Sequence, residues 1–217
     1  ILKKDIIFLE KKNFFLKNEN SPSVTVGHKP SRHFKKEAHR APMLSLGNAF
    51  DKDDLNNFEK KILNYLDKAN NYEIEYSAEP KIDGISASLT YKDGVFLRGL
   101  SRGDGKEGED ISENLKTIKD IPILISHKNF PKEIDIRGEI FIQNTDFDKL
   151  KDKFANPRNA ASGSLRQKDS NETKKIPLKF IAYTYGFQNG MLAKNQKEFL
   201  EDLSLWGFKT NPLNKVV

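Results

Sequence analysis

Glu79-Pro80-Lys81-Ile82-Asp83-Gly84 is the stretch of this chain best suited to covalent chemistry. A lysine amine two residues before an Asp-Gly pair can act as a nucleophile where the backbone fixes its aim. The bland alternative is a surface turn with a solvated lysine. Other residues bear on the choice. Ser101-Arg102-Gly103-Asp104-Gly105 is a glycine-rich loop able to approach a ligand by its backbone. Arg137-Gly138-Glu139 puts a base and an acid on one polar strand face. Arg158 and Arg166 lie eight apart in a run of small residues. Small residues let amides come close to phosphates, and arginine adds bidentate contacts.

These groups need elements to hold them. Tyr72 to Ala78 alternates apolar and polar residues and predicts a strand, which Pro80 ends. Gly84 is expected to allow a tight turn into a second strand, Ile85 to Tyr91. Lys81 is then fixed between two strands. Asp93-Gly94 predicts a hairpin turn back into a strand from Val95 to Leu100. Asp110 can cap a helix running through Ile118, and Ile121 to Ile125 reads as a short strand. Glu133 to Ile142 is the clearest strand, with isoleucines on one face and Asp135, Arg137 and Glu139 on the other. A charged triplet there is costly unless it lines a wet cleft or pairs internally. A helix from Asn144 should bury Phe147, Leu150 and Phe154 and stop at Asn156-Pro157. Leu178 to Phe187 is a strand with Tyr183, Tyr185 and Phe187 on one face, and Phe199 to Trp206 is a closing helix ended by Gly207. An earlier helix, capped by Asp51 and carrying Leu55, Phe58 and Ile62, is expected to lie on a sheet. The pattern predicts an α+β fold, mainly antiparallel sheets with flanking helices.

Composition narrows the partners. The 217 residues suffice for one domain with appendages. There is no cysteine, so this chain holds no disulfide and no cysteine-based zinc site, which fits a reducing compartment. No apolar run of membrane-spanning length occurs. Ile1 begins without a methionine or a signal-peptide layout, and reads as the cut edge of something longer. The net charge of +6 is uneven: Lys151 to Lys179 holds eight Lys or Arg against three acids. That suits a polyanionic partner, unless a lysine-rich proteome simply decorates every surface. Residues 1–20 predict a helix fragment and residues 21–41 a linker or extended arm. In that arm His28, Arg32, His33, His39 and Arg40 read as solvated positive charge, without ligand spacing for a metal. Residues 42–217 are the main domain.

Taken together, the order and spacing of Glu79-x-Lys81-x-Asp83-Gly84, the Ser101 to Gly105 loop, Arg137-Gly138-Glu139 and Asn156-Pro157-Arg158-Asn159-Ala160-Ala161 through Gln167 resemble the adenylation domain of bacterial NAD-dependent DNA ligases. Met43-Leu44-Ser45-Leu46 with Asn48 and Phe50, and Ser21-Pro22 with Val26-Gly27, are similar to that family too. Lys-x-Asp-Gly alone would also admit ATP-dependent ligases and capping enzymes; the long Asn-Pro-Arg-Asn-Ala-Ala run selects the NAD-dependent branch.

The resemblance implies a nucleotidyltransferase (ATP-grasp-like) adenylation domain in which Lys81 takes AMP from NAD. The amine must be neutral when it attacks, which nearby cations, Mg²⁺ included, or desolvation would favour. It implies Glu79 near the adenine, Tyr183 stacked on it, and Ser45 and Leu46 touching the nucleotide through the backbone. Glu139 would hold the ribose hydroxyls, Arg102 the phosphate oxygens or ribose, and Asp83 would orient Lys81 or help hold the metal. Arg158 and Arg166 would meet nicked double-stranded DNA. No residue is assigned to Mg²⁺ with certainty. The family further implies a bacterial, cytoplasmic monomer away from membranes. Residues 1–20 match only the tail of its N-terminal segment for the nicotinamide mononucleotide half. The chain stops before the family's Asp-Gly-x-Val-x-Lys element, and its oligonucleotide-binding domain and zinc module belong to the missing part of the parent. Two rivals stand beside this expectation: a non-catalytic nucleic-acid-binding remnant, and an ATP-dependent nucleotidyltransferase.

Overall fold

The computed structural model describes residues 2–16, 21, 34–69 and 71–217. In chain order the elements are α1 (Leu2–Lys12), a 3-10 turn (Phe14–Leu16), β1 (Lys36–Ala38), α2 (Lys52–Tyr65), β2 (Ser77–Ala78), β3 (Ile85–Lys92), β4 (Val95–Ser101) and β5 (Glu107–Glu109). They continue with α3 (Ser112–Leu115), β6 (Glu133–Phe141), α4 (Asn144–Phe147), α5 (Pro157–Leu165), α6 (Ser170–Lys174), β7 (Lys179–Asn189), α7 (Gln196–Leu205) and β8 (Lys215–Val216).

One antiparallel sheet carries the architecture, with strands in the order β4-β3-β6-β7. Asp93 and Gly94 both take positive φ in the β3–β4 turn, which suits the twist of the strands it joins. Alternation does the rest. Ala87, Leu89 and Tyr91 of β3 and Ile134, Ile136 and Ile140 of β6 enter one core with Phe180 and Ala182 of β7. Ile111, Leu115 and Ile118, then Ala160, Ala161 and Leu165, then Phe199, Leu203 and Trp206 cover it. The opposite face carries Ser86, Thr90, Asp135, Arg137 and Glu139, and it is a polar face that is nonetheless largely closed to solvent.

Residues 34–43 do that closing. β1 pairs with β5, and Met43 N donates to Gly105 O at 2.9 Å. Arg40 is not solvated: it pairs with Asp135 and, at 2.8 Å, with Glu133, and its guanidinium lies 4.2 Å above the Phe187 ring. Thr90, directly opposite Asp135, donates to the same carboxylate at 2.7 Å. His39 is half-buried, with Nε2 3.1 Å from Arg102 O. His28, Arg32 and His33 lie outside the described residues.

Several local expectations change. Residues 72–75 form no strand; Ser77–Ala78 pairs with β8, and Tyr76 extends that pairing by exchanging backbone hydrogen bonds with Val217 at 2.8 and 2.9 Å. Ile121 to Ile125 is not a strand but touches the sheet by a single bridge, Val95 to Leu124. α3 ends at Leu115 and α4 at Phe147, each continued by turns rather than helix. Asn156-Pro157 starts a helix instead of stopping one: Asn156 Oδ1 accepts from Asn159 N at 2.7 Å, and proline occupies the first turn, where its missing N–H costs nothing. α2 begins as expected: Asp51 Oδ1 accepts from Asp54 N at 2.8 Å, and Asp54 Oδ2 accepts from Phe50 N, one residue before the cap, at 3.0 Å. It does not bury its apolar stripe, since Leu55 and Phe58 are 57% and 54% exposed.

Candidate functional site

A cleft of about 600 Å³ opens on the polar face of β3, β6 and β7. Its walls include Ser45, Leu46, Glu79, Lys81, Arg102, Glu139 and Tyr183. Seven residues singled out in five separate sequence stretches thus face one space. Asp83 lies outside it, beside a second and more open hollow lined by Phe141, Asn144 and Pro157.

The deepest acid is Glu139. Register places Ser86 of β3 directly opposite, and Ser86 Oγ donates to Glu139 Oε2 at 2.8 Å. Burial pushes the Glu139 carboxyl above its ordinary value, while the Ser86 hydrogen bond and the charges of Lys81, Arg158 and Arg102 pull it back. Lys81 is therefore within electrostatic reach of Glu139, although it stands on exposed, irregular backbone.

Gly84 explains how the Lys81 loop comes so near β6. Its φ is not positive, so the expected reason, a tight turn, is not the operative one. A Cβ there would fall 2.2 Å from Ile140 O, so only glycine lets the loop lie against the strand that carries Glu139.

Tyr183 reaches the cleft through an irregularity. Gly138 pairs with Ala182 and Arg137 with Thr184, leaving Tyr183 as an extra residue in β7. Such a bulge re-aims one side chain and inverts the alternation beyond it. Tyr183 faces the cleft, whereas Tyr185 turns to the core and meets Phe199 edge-on at 5.0 Å. The three aromatics expected on one face are thus divided. Burial raises the Tyr183 phenol above its ordinary value, so it stays protonated.

Three residues of the site were missed in the sequence. Gln196, the first residue of α7, donates from Nε2 to Glu79 Oε1 at 2.8 Å and to Tyr183 O at 2.7 Å. Ser86 was legible only as one polar position of an alternating strand. Arg137 was singled out beside Glu139 but given no role. Its guanidinium donates to Pro42 O at 3.1 Å and to Ala41 O, which draws the segment leading to Ser45 and Leu46 across the sheet. Burial lowers its pKa. Arg137 Nε and Asn214 Oδ1 are buried polar atoms of this cleft with no hydrogen-bond partner among the described residues, so both are able to bond to a polar ligand.

The two basic residues of α5 are held differently. Arg158 pairs with Asp83 at 2.8 Å, so it adjoins the Lys-x-Asp-Gly loop despite their separation in sequence. Arg166 donates at 2.9 Å to Glu109, whose side chain is fully buried, and to Ser162 Oγ at 2.9 Å. Among the described residues no group of three or more His, Asp or Glu could form a metal cage. No helix among them is long and apolar enough to cross a membrane.

A family model described as the NAD-dependent DNA ligase adenylation domain matches residues 31–217. A DNA ligase of Pelagibacter ubique is 69% identical over 217 residues, all of this chain and 32% of the relative. A DNA ligase of Rickettsia massiliae is 47% identical over 216 residues, 96% of this chain and 31% of the relative. One of Parvibaculum lavamentivorans is 45% identical over 206 residues, 91% of this chain and 29% of the relative. The chain spans about a third of the length of the curated relatives it matches.

Proposed function

Because this chain belongs to the NAD-dependent DNA ligase adenylation-domain family, we propose that Lys81 is the nucleophile that takes AMP from NAD. The neutral amine attacks the α-phosphorus. A nitrogen–phosphorus bond forms, the amine loses its proton, and the bond to the phosphate of nicotinamide mononucleotide breaks. The observation that carries this reading is the convergence of Lys81, Glu79, Arg102, Glu139, Tyr183, Ser45 and Leu46 on one cleft.

Each side chain has work that its placement suits. The Glu139 carboxylate, fixed by Ser86, can accept both ribose hydroxyls. Tyr183, standing out from β7 at the bulge, offers a ring face to the adenine. Glu79 meets the edge of the base. Arg102 can neutralise charge on the non-bridging oxygens. Ser45 and Leu46, on the segment held by Arg137, can touch the nucleotide by backbone groups. Asp83 orients the loop through Arg158 more directly than it reaches the cleft. The side chains here make no ready cage for Mg²⁺, which commonly arrives with phosphates and water, and no step is routed through it.

In the parent enzyme the adenylate would pass to the 5′-phosphate of a nick in double-stranded DNA, and the 3′-hydroxyl would then displace AMP. Arg158 and Arg166 would hold that DNA. We assign residues 1–20 to the end of a segment for the nicotinamide mononucleotide half and residues 42–217 to the adenylation domain. A cytoplasmic monomer fits an enzyme that meets NAD and DNA together.

Mass spectrometry of the chain after incubation with NAD or with ATP tests the reading. A gain of one adenylate from NAD alone, lost in Lys81→Ala, is expected. A gain from ATP would favour an ATP-dependent nucleotidyltransferase. No gain from either, with DNA binding retained, would favour a non-catalytic remnant.

A further inference from the structure

We propose that Gln196 is a positioning residue that selects the base by fixing which Glu79 oxygen faces the cleft; this rests on the nucleotide reading above. Glu79 Oε1 receives two donors, Ser77 Oγ at 2.9 Å and Gln196 Nε2 at 2.8 Å. Oε2 has no hydrogen-bond partner among the described residues, in a side chain that lines the cleft. The Gln196 amide is itself committed. Its second N–H goes to Tyr183 O at 2.7 Å, so both protons of Nε2 are used and the amide cannot turn over without losing both bonds. Asn195 caps α7 by accepting from Glu198 N at 2.9 Å, which fixes the helix start on which Gln196 stands. One amide thus ties the loop bearing Glu79 to the bulged strand position bearing Tyr183.

An acceptor held in one place distinguishes purines by what they present at C6. An exocyclic amine donates to Oε2. A 6-oxo group sets a lone pair against the carboxylate, which repels. The ring N1–H of a 6-oxopurine could still be accepted if the carboxylate swung toward it. The two donors on Oε1 prevent that swing. The ligand class is a 6-aminopurine nucleotide, and Gln196 acts through Glu79 without touching the base.

The test uses the 217-residue chain, with AMP and inosine 5′-monophosphate as probes in titration calorimetry. The unaltered chain should prefer AMP by about ten- to a hundredfold, the range of a hydrogen bond to a charged group. Gln196→Leu should bring the preference to within about threefold, chiefly by admitting the 6-oxo nucleotide. Ser77→Ala, at an exposed position, should give a smaller loss in the same direction. In a Glu79→Gln background Gln196→Leu should change nothing further. An unchanged preference in Gln196→Leu overturns the proposal. Equal weakening of both nucleotides in a folded variant also overturns it, because that is what a purely structural glutamine would do. If Gln196→Leu fails to fold, Ser77→Ala decides by the same criterion. Failure of the unaltered chain to bind either nucleotide would instead remove the nucleotide reading of the cleft.

Discussion

The cleft has two walls of different construction. The Glu139 wall is sheet: its acid is 7% exposed, its hydrogen-bond partner is set by strand register, and its neighbours belong to the core. The Lys81 wall is irregular chain from Glu79 to Asp83, reached by a two-residue strand whose Ser77 holds Glu79 and held from outside by Gln196 on Glu79 and Arg158 on Asp83. The contrast teaches a division of labour. On the reading proposed above, the ribose is gripped the same way in every turnover, and register suits that. On the same reading, Lys81 collects a group and hands it on, and a mount held by side chains from other elements suits a lysine that must respond to the next substrate.

The sharpest break in this contrast is Lys81→Ala. Lys81 is exposed and makes none of the packing contacts of the core, so its removal should leave the melting temperature unchanged within error. Adenylation should fall below detection. Adenylated protein from this variant would remove Lys81 from its role and the loop wall from the chemistry.

Gly84→Ala probes the seam between the two walls. The added methyl meets Ile140 O at 2.2 Å, backbone that cannot yield as a side chain would. The loop must lift off β6, at a cost of about 1–3 kcal/mol in stability. A displacement near 1 Å is worth about a hundredfold in rate. Adenylation down by about that factor, with moderate loss of denaturant midpoint, is expected. Normal rates would mean the loop tolerates displacement and that Lys81 is not held by its contact with β6.

Glu139→Gln tests the sheet wall by pH. The folded-state pKa of Glu139 lies above its ordinary value of 4.5, burial being the cause. Between that value and the raised one the folded chain binds more protons than the unfolded chain, so this group makes stability fall as pH rises through the window. Glutamine cannot ionise and escapes the fall. The melting temperature of Glu139→Gln minus that of the unaltered chain should therefore grow from about pH 4 toward neutrality and then level off. If Glu139 holds the ribose as proposed, nucleotide binding should weaken about tenfold. A flat difference would mean that the carboxyl is better solvated than its position in β6 implies.

The same two walls explain what was legible in the sequence. β3, β4, β6 and β7 and the Asp93-Gly94 turn announce themselves because alternation and turn chemistry are local. The polar triplet of β6 carried real information: Asp135 pairs internally with Arg40, while Arg137 and Glu139 line the cleft, the two outcomes its cost allowed. What failed depends on distant chain. Tyr72 to Glu75 alternates but finds no ladder partner, since the pairing stops at Tyr76 and Val217. The Tyr183 bulge is a register event between strands. Arg40 meets Asp135 across 95 positions, and Gln196 meets Glu79 across 117. The exception is Asn156-Pro157, a local helix-start signal, since Asn caps and proline is tolerated in the first turn.

Arg158 and Arg166 offer the subtlest comparison, because sequence groups them and structure separates them. Each lost phosphate contact should lower the dependence of log affinity on log salt by about one unit for nicked DNA. Arg158→Ala breaks an exposed pair and should cost under about 0.5 kcal/mol in stability. It also frees Asp83 beside the Lys81 loop and removes a cation that acts on Glu139, so adenylation should slow about two- to fivefold. Arg166→Ala instead takes an arginine from the buried Glu109 carboxylate. It should cost about 1–3 kcal/mol while leaving adenylation of the folded fraction unchanged. Adenylation assays with NAD, denaturant melts and DNA titrations at several salt concentrations separate the two. If both variants lose stability equally and neither slows adenylation, the pairing of Arg158 with Asp83 has no functional consequence, and the loop wall stands independent of the α5 arginines.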